Sequence, residues 1–260
     1  ATRAAFPGRF STDTGAKFRM GRRRPRLCYR FPMSKPIPEG LWELLPLLFR
    51  PHPWHGISVG DEAPEKVTVY IEIVPTDPVK YELDKKTGYL KIDRPQKFSN
   101  VYPTLYGFIP QTFCGEENAA FCAQRTGREG IVGDGDPLDV CVLSEKAISH
   151  GDVLMNVTPI GGLRMIDHNE ADDKIIAVLE GDAVYGQLRE IYQLPPTLVD
   201  RLKHYFLTYK QAPDSLQPHK VEITHVYGRE EAYEVIRRSR EDYDKRYGRL
   251  RELLTAALKA

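Results

Sequence analysis

The sequence predicts a mainly β protein, a five-stranded OB-like closed barrel with α-helices flanking it at the C-terminal end. Three observations lead there. Between Val67 and Leu179 apolar residues recur with period two in short runs parted by Gly- and Pro-containing turns, the pattern of half-buried strands. From Pro195 onward the apolar period lengthens to that of a helix. No internal repeat or low-complexity segment interrupts the 260 residues, a length that suits one large core or two small ones. About five strands followed by helices is the order of a small barrel with helices packed outside.

The elements follow in chain order. Residues 1–34 read as a basic N-terminal arm, and 35–260 as a single catalytic domain. Leu41 to Phe49 is apolar but broken by Pro46, which suits a strap packed on the body rather than a long helix. Pro51 to Ile57 is an aromatic, turn-rich entry. Val67, Val69, Ile71 and Ile73 alternate with Thr68, Tyr70 and Glu72, a strand with one buried face and Glu72 on the other. Lys80–Asp84 and Tyr89–Arg94 form a hairpin about Lys85-Lys86-Thr87-Gly88, with Lys80 and Glu82 on one face. Asn100 to Pro110 is an aromatic strand-turn unit. Gly115 to Gly130 is polar and glycine-punctuated, and reads as a loop. Val153 to Ile160 is a strand that Gly161-Gly162 breaks, Leu163–Ile166 resumes the chain, and Lys174–Leu179 is the next strand. Leu198, Leu202, Tyr205, Phe206 and Tyr209 share a helical face after Pro195-Pro196. Arg229 to Arg246 is a second helix, dense in charge.

The charge is uneven. The chain totals +1, yet residues 1–34 hold nine Arg or Lys and one acid, Asp13, leaving 28 basic and 35 acidic groups in 35–260, a net of −7. The Arg22–Arg26 cluster reads as a solvated arm, with a polyanion or membrane-surface contact or a targeting remnant as the functional alternatives. No apolar run is long enough to span a bilayer. The four cysteines form no CxxC pair, so free thiols in a reducing compartment are expected; Cys114 and Cys122 are the pair spaced to bridge a loop. The seven histidines show no metal-ligand pairing, and His204, on the helix with Tyr209, reads as a packed histidine or one that supports the site's ligands from behind.

The densest chemistry lies in Ile131-Val132-Gly133-Asp134-Gly135-Asp136-Pro137-Leu138-Asp139-Val140. Three carboxylates fall within six residues of a stiff turn anchored by apolar residues. Like charges held that close raise each other's pKa unless a cation sits between them. Hard divalent ions such as Mg²⁺ take oxygen ligands in fixed geometry. A second acidic cluster, Asp167 to Asp173, joins two strands, and Asp172 and Lys174 point to one side of the second. Lys80, Arg94, Lys174 and Lys210, with Tyr106 and Tyr209, supply donors that a barrel mouth could gather. Lys and Arg with Tyr hydroxyls bind phosphate oxygens. Carboxylates in excess over such cations make sense if divalent ions neutralise an anion and lower the pKa of a water. That is phosphoryl transfer to water. No Walker loop, HExxH, GxSxG or dinucleotide motif competes.

Asp134-Gly135-Asp136-Pro137-Leu138-Asp139-Val140 resembles the signature of the soluble family I inorganic pyrophosphatases. The resemblance runs from about Trp54 to Tyr247. It takes in Glu72, Lys80-Tyr81-Glu82, Asp93-Arg94, Tyr106-Gly107-Phe108, Asp167 to Lys174, and Tyr209-Lys210. It implies a five-stranded OB-like barrel and Mg²⁺-dependent hydrolysis of pyrophosphate to two phosphates. Several Mg²⁺ ions per site are implied, with Mn²⁺, Zn²⁺ or Co²⁺ as substitutes. The resemblance further assigns metal ligation to Asp134, Asp136, Asp139, Asp167 and Asp172, and an indirect metal role to Glu72 and Glu82. Asp136 would be the base for the attacking water, with Tyr106 hydrogen-bonding nearby. Lys80, Arg94, Lys174, Tyr209 and Lys210 would bind the phosphoryl groups. Leu105 stands where the family often has Asn. The 115–130 insert and the long C-terminal part are similar to the longer eukaryotic branch. That branch implies a homodimer, with a higher assembly open, and a cytoplasmic, organellar or acidocalcisomal address. Hydrolysis of tripolyphosphate or longer chains is the enzymatic alternative. An OB-type nucleic-acid binder is the non-enzymatic one, opposed by the acidic body, so no obligatory nucleic acid is expected.

Overall fold

The computed structural model describes residues 50–97, 99–210 and 221–259. The basic arm and the Leu41–Phe49 strap lie outside them. Among the described residues ten strands form: β1 (Val67–Ile73), β2 (Val79–Leu83), β3 (Leu90–Pro95), β4 (Leu105–Phe108), β5 (Val132–Gly133), β6 (Asp139–Leu143), β7 (Val153–Asp167), β8 (Glu170–Ala171), β9 (Lys174–Leu179) and β10 (Val221–Gly228). Three α-helices and a short 3-10 helix (Ile191–Gln193) join them among the described residues: α1 (Glu116–Thr126), α2 (Pro196–Thr208) and α3 (Arg229–Lys259). None of the helices described is long and apolar enough to cross a membrane.

The expected five-stranded closed barrel with C-terminal helices is replaced by an eight-stranded mixed sheet. Its order is β1-β4-β6-β9-β7-β8-β5, with β10 added on β7, beside a separate β2-β3 hairpin. The physical reason is β7. At 15 residues it is long enough to pair with four other strands, β1, β9, β8 and β10. Its first half pairs with β1 and β9, and its second half recruits β8 and β10. Two pairs, β5–β8 and β6–β9, are parallel. Helix α1 also falls among the strands rather than after them.

Four local expectations change. Gly161-Gly162 does not end the strand: β7 runs through with a bulge between Pro159 and Gly161. A Cβ at Gly162 would stand 2.4 Å from the Tyr227 ring, so glycine there admits β10 alongside. The 115–130 loop contains α1. Its flanking glycines are cap positions, with Gly127 left-handed at φ 69° and donating to the Ala123 carbonyl at 2.8 Å. Two acids in its first turn and Arg125 in its last suit the helix dipole. β1 is buried on both faces: Tyr70 donates to Asp152 at 2.8 Å and packs at a tilt against Phe108, and Glu72 is buried as well. His204 is exposed rather than packed. Cys114, Cys122 and Cys141 are free and buried.

The sheet is covered on both sides. Val140 and Val142 of β6, and Ile175 and Ala177 of β9, pack in one cluster with Ala232, Val235 and Ile236 of α3. Their alternates, Cys141, Leu143, Ile176 and Val178, pack in another with Leu202, Tyr205 and Phe206 of α2. Period two on the strands and period 3.6 on the helices thus meet twice. Leu105 belongs to the first cluster, so its departure from the family's usual Asn adds apolar packing rather than a polar neighbour for Tyr106.

Candidate active site

The acids stand at strand ends, where the sheet holds them rigidly. Asp139 opens β6 and pairs in register with Lys174, which opens the parallel β9. On the other side Asp139 pairs with Phe108 at the end of β4. This places the two acidic segments side by side. The Lys174 ammonium, 3% exposed, bonds both Asp139 and Asp172. Tyr106 Oη donates to the same Asp139 oxygen at 2.5 Å, its ring packed against Tyr102 and Phe206. Asp172 and Lys174, two apart, do project together.

Beside Asp139 lies a cleft lined by Glu72, Lys80, Glu82, Lys85, Tyr106, Asp136 and Asp139 itself, with Trp54 at its wall. Glu72 reaches it from β1, and its carboxyl accepts from the Leu83 backbone N–H at 2.7 Å. The hairpin delivers the cations. Lys80 and Arg94 pair across β2 and β3, and both contact Asp93, at 3.3 and 2.5 Å. Outside the residues that line the cleft, Lys210 bonds Asp167 at 2.6 Å and lies 5.4 Å from the Tyr209 ring, which stacks on Tyr205. Asp134 turns inward and accepts from the Asp136 N–H at 2.9 Å.

Sequence reasoning missed Lys85, which bonds Asp136 from the hairpin turn 51 residues away. It also missed the buried ion pair of Arg164 with Asp173 at 3.0 Å behind Asp172. Lys85 sat in the turn of the expected hairpin, where the sequence gives it no partner. The signal for Arg164 was a lone arginine in the otherwise apolar run Leu163–Ile166.

Electrostatically the cleft carries more negative charge than it can hold. Burial, reinforced by Asp172, pushes the Asp134 carboxyl up to about 8. Burial likewise pushes Glu72 up to about 8, with Asp139 adding to it. Asp139 is raised by burial in spite of Lys174. Asp167 differs: burial works against it, yet the bonds from Lys210 and His168 hold it below the usual carboxylate range. Among the described residues no three of His, Cys, Asp and Glu stand close enough together to hold an ion as they are; Lys85, Lys174 and Lys210 lie among the acids. The donor set nonetheless fits a hard divalent cation. It is all carboxylate, without a thiol or imidazole among the inward-facing groups, and its raised carboxyls are those a cation would ionise.

A pH dependence follows. Glu72 and Asp134 keep protons in the folded protein up to about pH 8, whereas an unfolded chain releases them near pH 4. Over that window the folded state binds more protons, so raising pH favours unfolding. In EDTA the melting temperature is expected to fall between about pH 5 and about pH 8.5, and added Mg²⁺ to restore it most at the alkaline end. A melting temperature in EDTA that rises over the same interval contradicts this.

Residues 69–244 match the family profile described as "Inorganic pyrophosphatase". A Chlamydia trachomatis serovar L2 protein named inorganic pyrophosphatase is 54% identical over 195 residues, covering 74% of this chain and 93% of its own. Soluble inorganic pyrophosphatase 3 of Arabidopsis thaliana is 37% identical over 213 residues, covering 80% of this chain and 88% of its own. The crystal structure of the inorganic pyrophosphatase from Thermus thermophilus aligns with a TM-score of 0.60 at 33% identity, covering 72% of this chain and 97% of that one.

Proposed function

The chain belongs to the inorganic pyrophosphatase family, and from that premise we propose how its acidic cleft works. The protein is a hydrolase that splits pyrophosphate into two orthophosphates and depends on a divalent metal. Mg²⁺ is the ion, several per site, with Mn²⁺, Zn²⁺ or Co²⁺ as substitutes. Asp134, Asp136, Asp139, Asp167 and Asp172 hold the ions, and Glu72 and Glu82 act on them indirectly. When bound, the ions neutralise substrate oxygens and make a water acidic enough to attack at neutral pH.

The chain's own groups do the rest. Asp136, part-exposed at the cleft, orients the attacking water and takes its proton. Tyr106, anchored on Asp139, fixes that carboxylate's orientation through its hydroxyl. As the water oxygen bonds to one phosphorus, the bridging P–O bond breaks and charge develops on the departing phosphate. Lys80 and Arg94 on the hairpin, with Lys174, Tyr209 and Lys210 opposite, supply positive charge and donors to the phosphoryl oxygens. Their proximity costs no reorganisation at the moment of reaction. We read the assembly as a homodimer and the address as cytoplasm or acidic vacuole, as in the longer members the sequence resembles.

The observation that supports this most is the meeting of Asp139 and Asp172 on Lys174, with Asp139 also lining the cleft. Phosphate release is expected from pyrophosphate with Mg²⁺, and background release after complete chelation. A panel of pyrophosphate, tripolyphosphate and longer chains, each in Mg²⁺ and in Zn²⁺, separates pyrophosphate from polyphosphate hydrolysis. Full turnover in a preparation stripped of divalent cations defeats the proposal.

A further inference from the structure

We propose that Asp242 of α3 is a positioning residue for the acidic turn, an inference that rests on the function proposed above. The turn 134–138 is held by another segment of chain. Cys114 clamps it from both sides: its N–H donates to the Asp136 carbonyl at 2.8 Å, and its carbonyl accepts from the Gly135 N–H at 3.0 Å. Thr112 Oγ1 accepts from the Leu138 N–H at 2.9 Å, and the Ile109 N–H donates to the Leu138 carbonyl at 2.9 Å. The fit is close, since a Cβ at Gly133 would stand 2.1 Å from the Cys114 carbonyl oxygen. Residues 109–115 are therefore the template on which the turn is laid.

That template is fastened to α3. The Phe113 N–H donates to the Ser239 carbonyl at 2.8 Å, and Asn118 Nδ2 donates to Ser239 Oγ at 2.6 Å. The strongest fastening is Asp242, 4% exposed. Its carboxylate accepts from the backbone N–H groups of Gly115, Glu117 and Asn118, each at 3.0 Å. Those are the first turn of α1. The N-cap residue, Gly115, has no side chain to cap it, and Asp242 does so from 127 residues away. A Cβ at Gly115 would stand 2.9 Å from the Asp242 carboxyl carbon, so glycine there admits the carboxylate. A charged acceptor on three backbone donors is a strong, directional tie. It fixes Gly115, hence Cys114, hence the spacing of Asp134 and Asp136.

Asp242 touches neither substrate nor reacting atoms, so its loss should appear in divalent-cation binding more than in chemistry. Asp242→Ala is expected to weaken Mn²⁺ binding, measured directly by titration without substrate, about tenfold, or about 1.4 kcal/mol. The Mg²⁺ needed for half-maximal hydrolysis should rise by the same factor, while kcat at saturating Mg²⁺ changes less than about threefold. Asp242→Asn, which keeps an oxygen acceptor without the charge, should fall between, at about threefold. A merely structural role would lower the melting temperature in EDTA and leave Mn²⁺ affinity alone. Folded Asp242→Ala with wild-type Mn²⁺ affinity overturns the proposal. If that variant does not fold, wild-type affinity in Asp242→Asn overturns it equally. Asp139→Asn is measured beside them: should the wild-type protein bind no Mn²⁺, or Asp139→Asn bind it unchanged, the metal-site function fails instead, independently of Asp242.

Discussion

Asp139→Asn is expected to lower kcat about a thousandfold, about 4 kcal/mol of transition-state stabilisation, while leaving the fold intact. Asn is nearly isosteric and keeps an oxygen for the Tyr106 hydroxyl, and Lys174 keeps its bond to Asp172. What disappears is one negative charge at the point where β4, β6 and β9 converge. In EDTA the variant should melt no lower than wild type, since a buried like-charge repulsion is relieved. Circular dichroism, melting and steady-state phosphate release measure all three quantities. Turnover near wild type in a folded Asp139→Asn protein would falsify a ligand role for this carboxylate.

Lys174→Met should act on stability and activity together. Lys174 is the buried cation between Asp139 and Asp172, and its ammonium lies 5.7 Å from the Phe206 ring. Methionine fills much of the same volume but leaves two carboxylates facing each other without a counter-charge. Removing one partner of a buried ion pair costs about 3 to 5 kcal/mol, so the metal-free variant should melt well below wild type. Mg²⁺ should recover much of that loss, because a cation takes the place of the missing charge. Activity should remain about a hundredfold down even at saturating Mg²⁺, with the proposed substrate contact gone. Equal melting temperatures for variant and wild type in EDTA would show that the lysine neutralises nothing.

How the candidate site residues group in space was legible where they are local in sequence. Asp134, Asp136 and Asp139 lie on one turn, Asp172 and Lys174 on one strand end, and Lys80 and Arg94 on one hairpin. Period two or a single turn fixes which way such neighbours face. What could not be read depends on partners far along the chain. Lys85 meets Asp136 only because the hairpin folds over the cleft. Helix α1 read as a loop since it is short, polar and framed by glycines, and its capping group sits on α3. Alternation marks a strand but not its neighbour, so the barrel expectation had the strands without their partners. The parallel β6–β9 pairing, the through-running β7 and the added β10 belong to that missing information.

The length of β7 also governs when the protein can take shape. Its 15 residues need β1, some 85 positions upstream, for one half, and β10, some 60 downstream, for the other. During synthesis the second half stays an open hydrogen-bonding edge until Gly228 has left the ribosome. Closing such distant pairs is slow compared with local hairpin formation. A nascent chain stalled before β10 would present that one open edge to any other strand in reach, and chaperone demand should peak over this interval of translation.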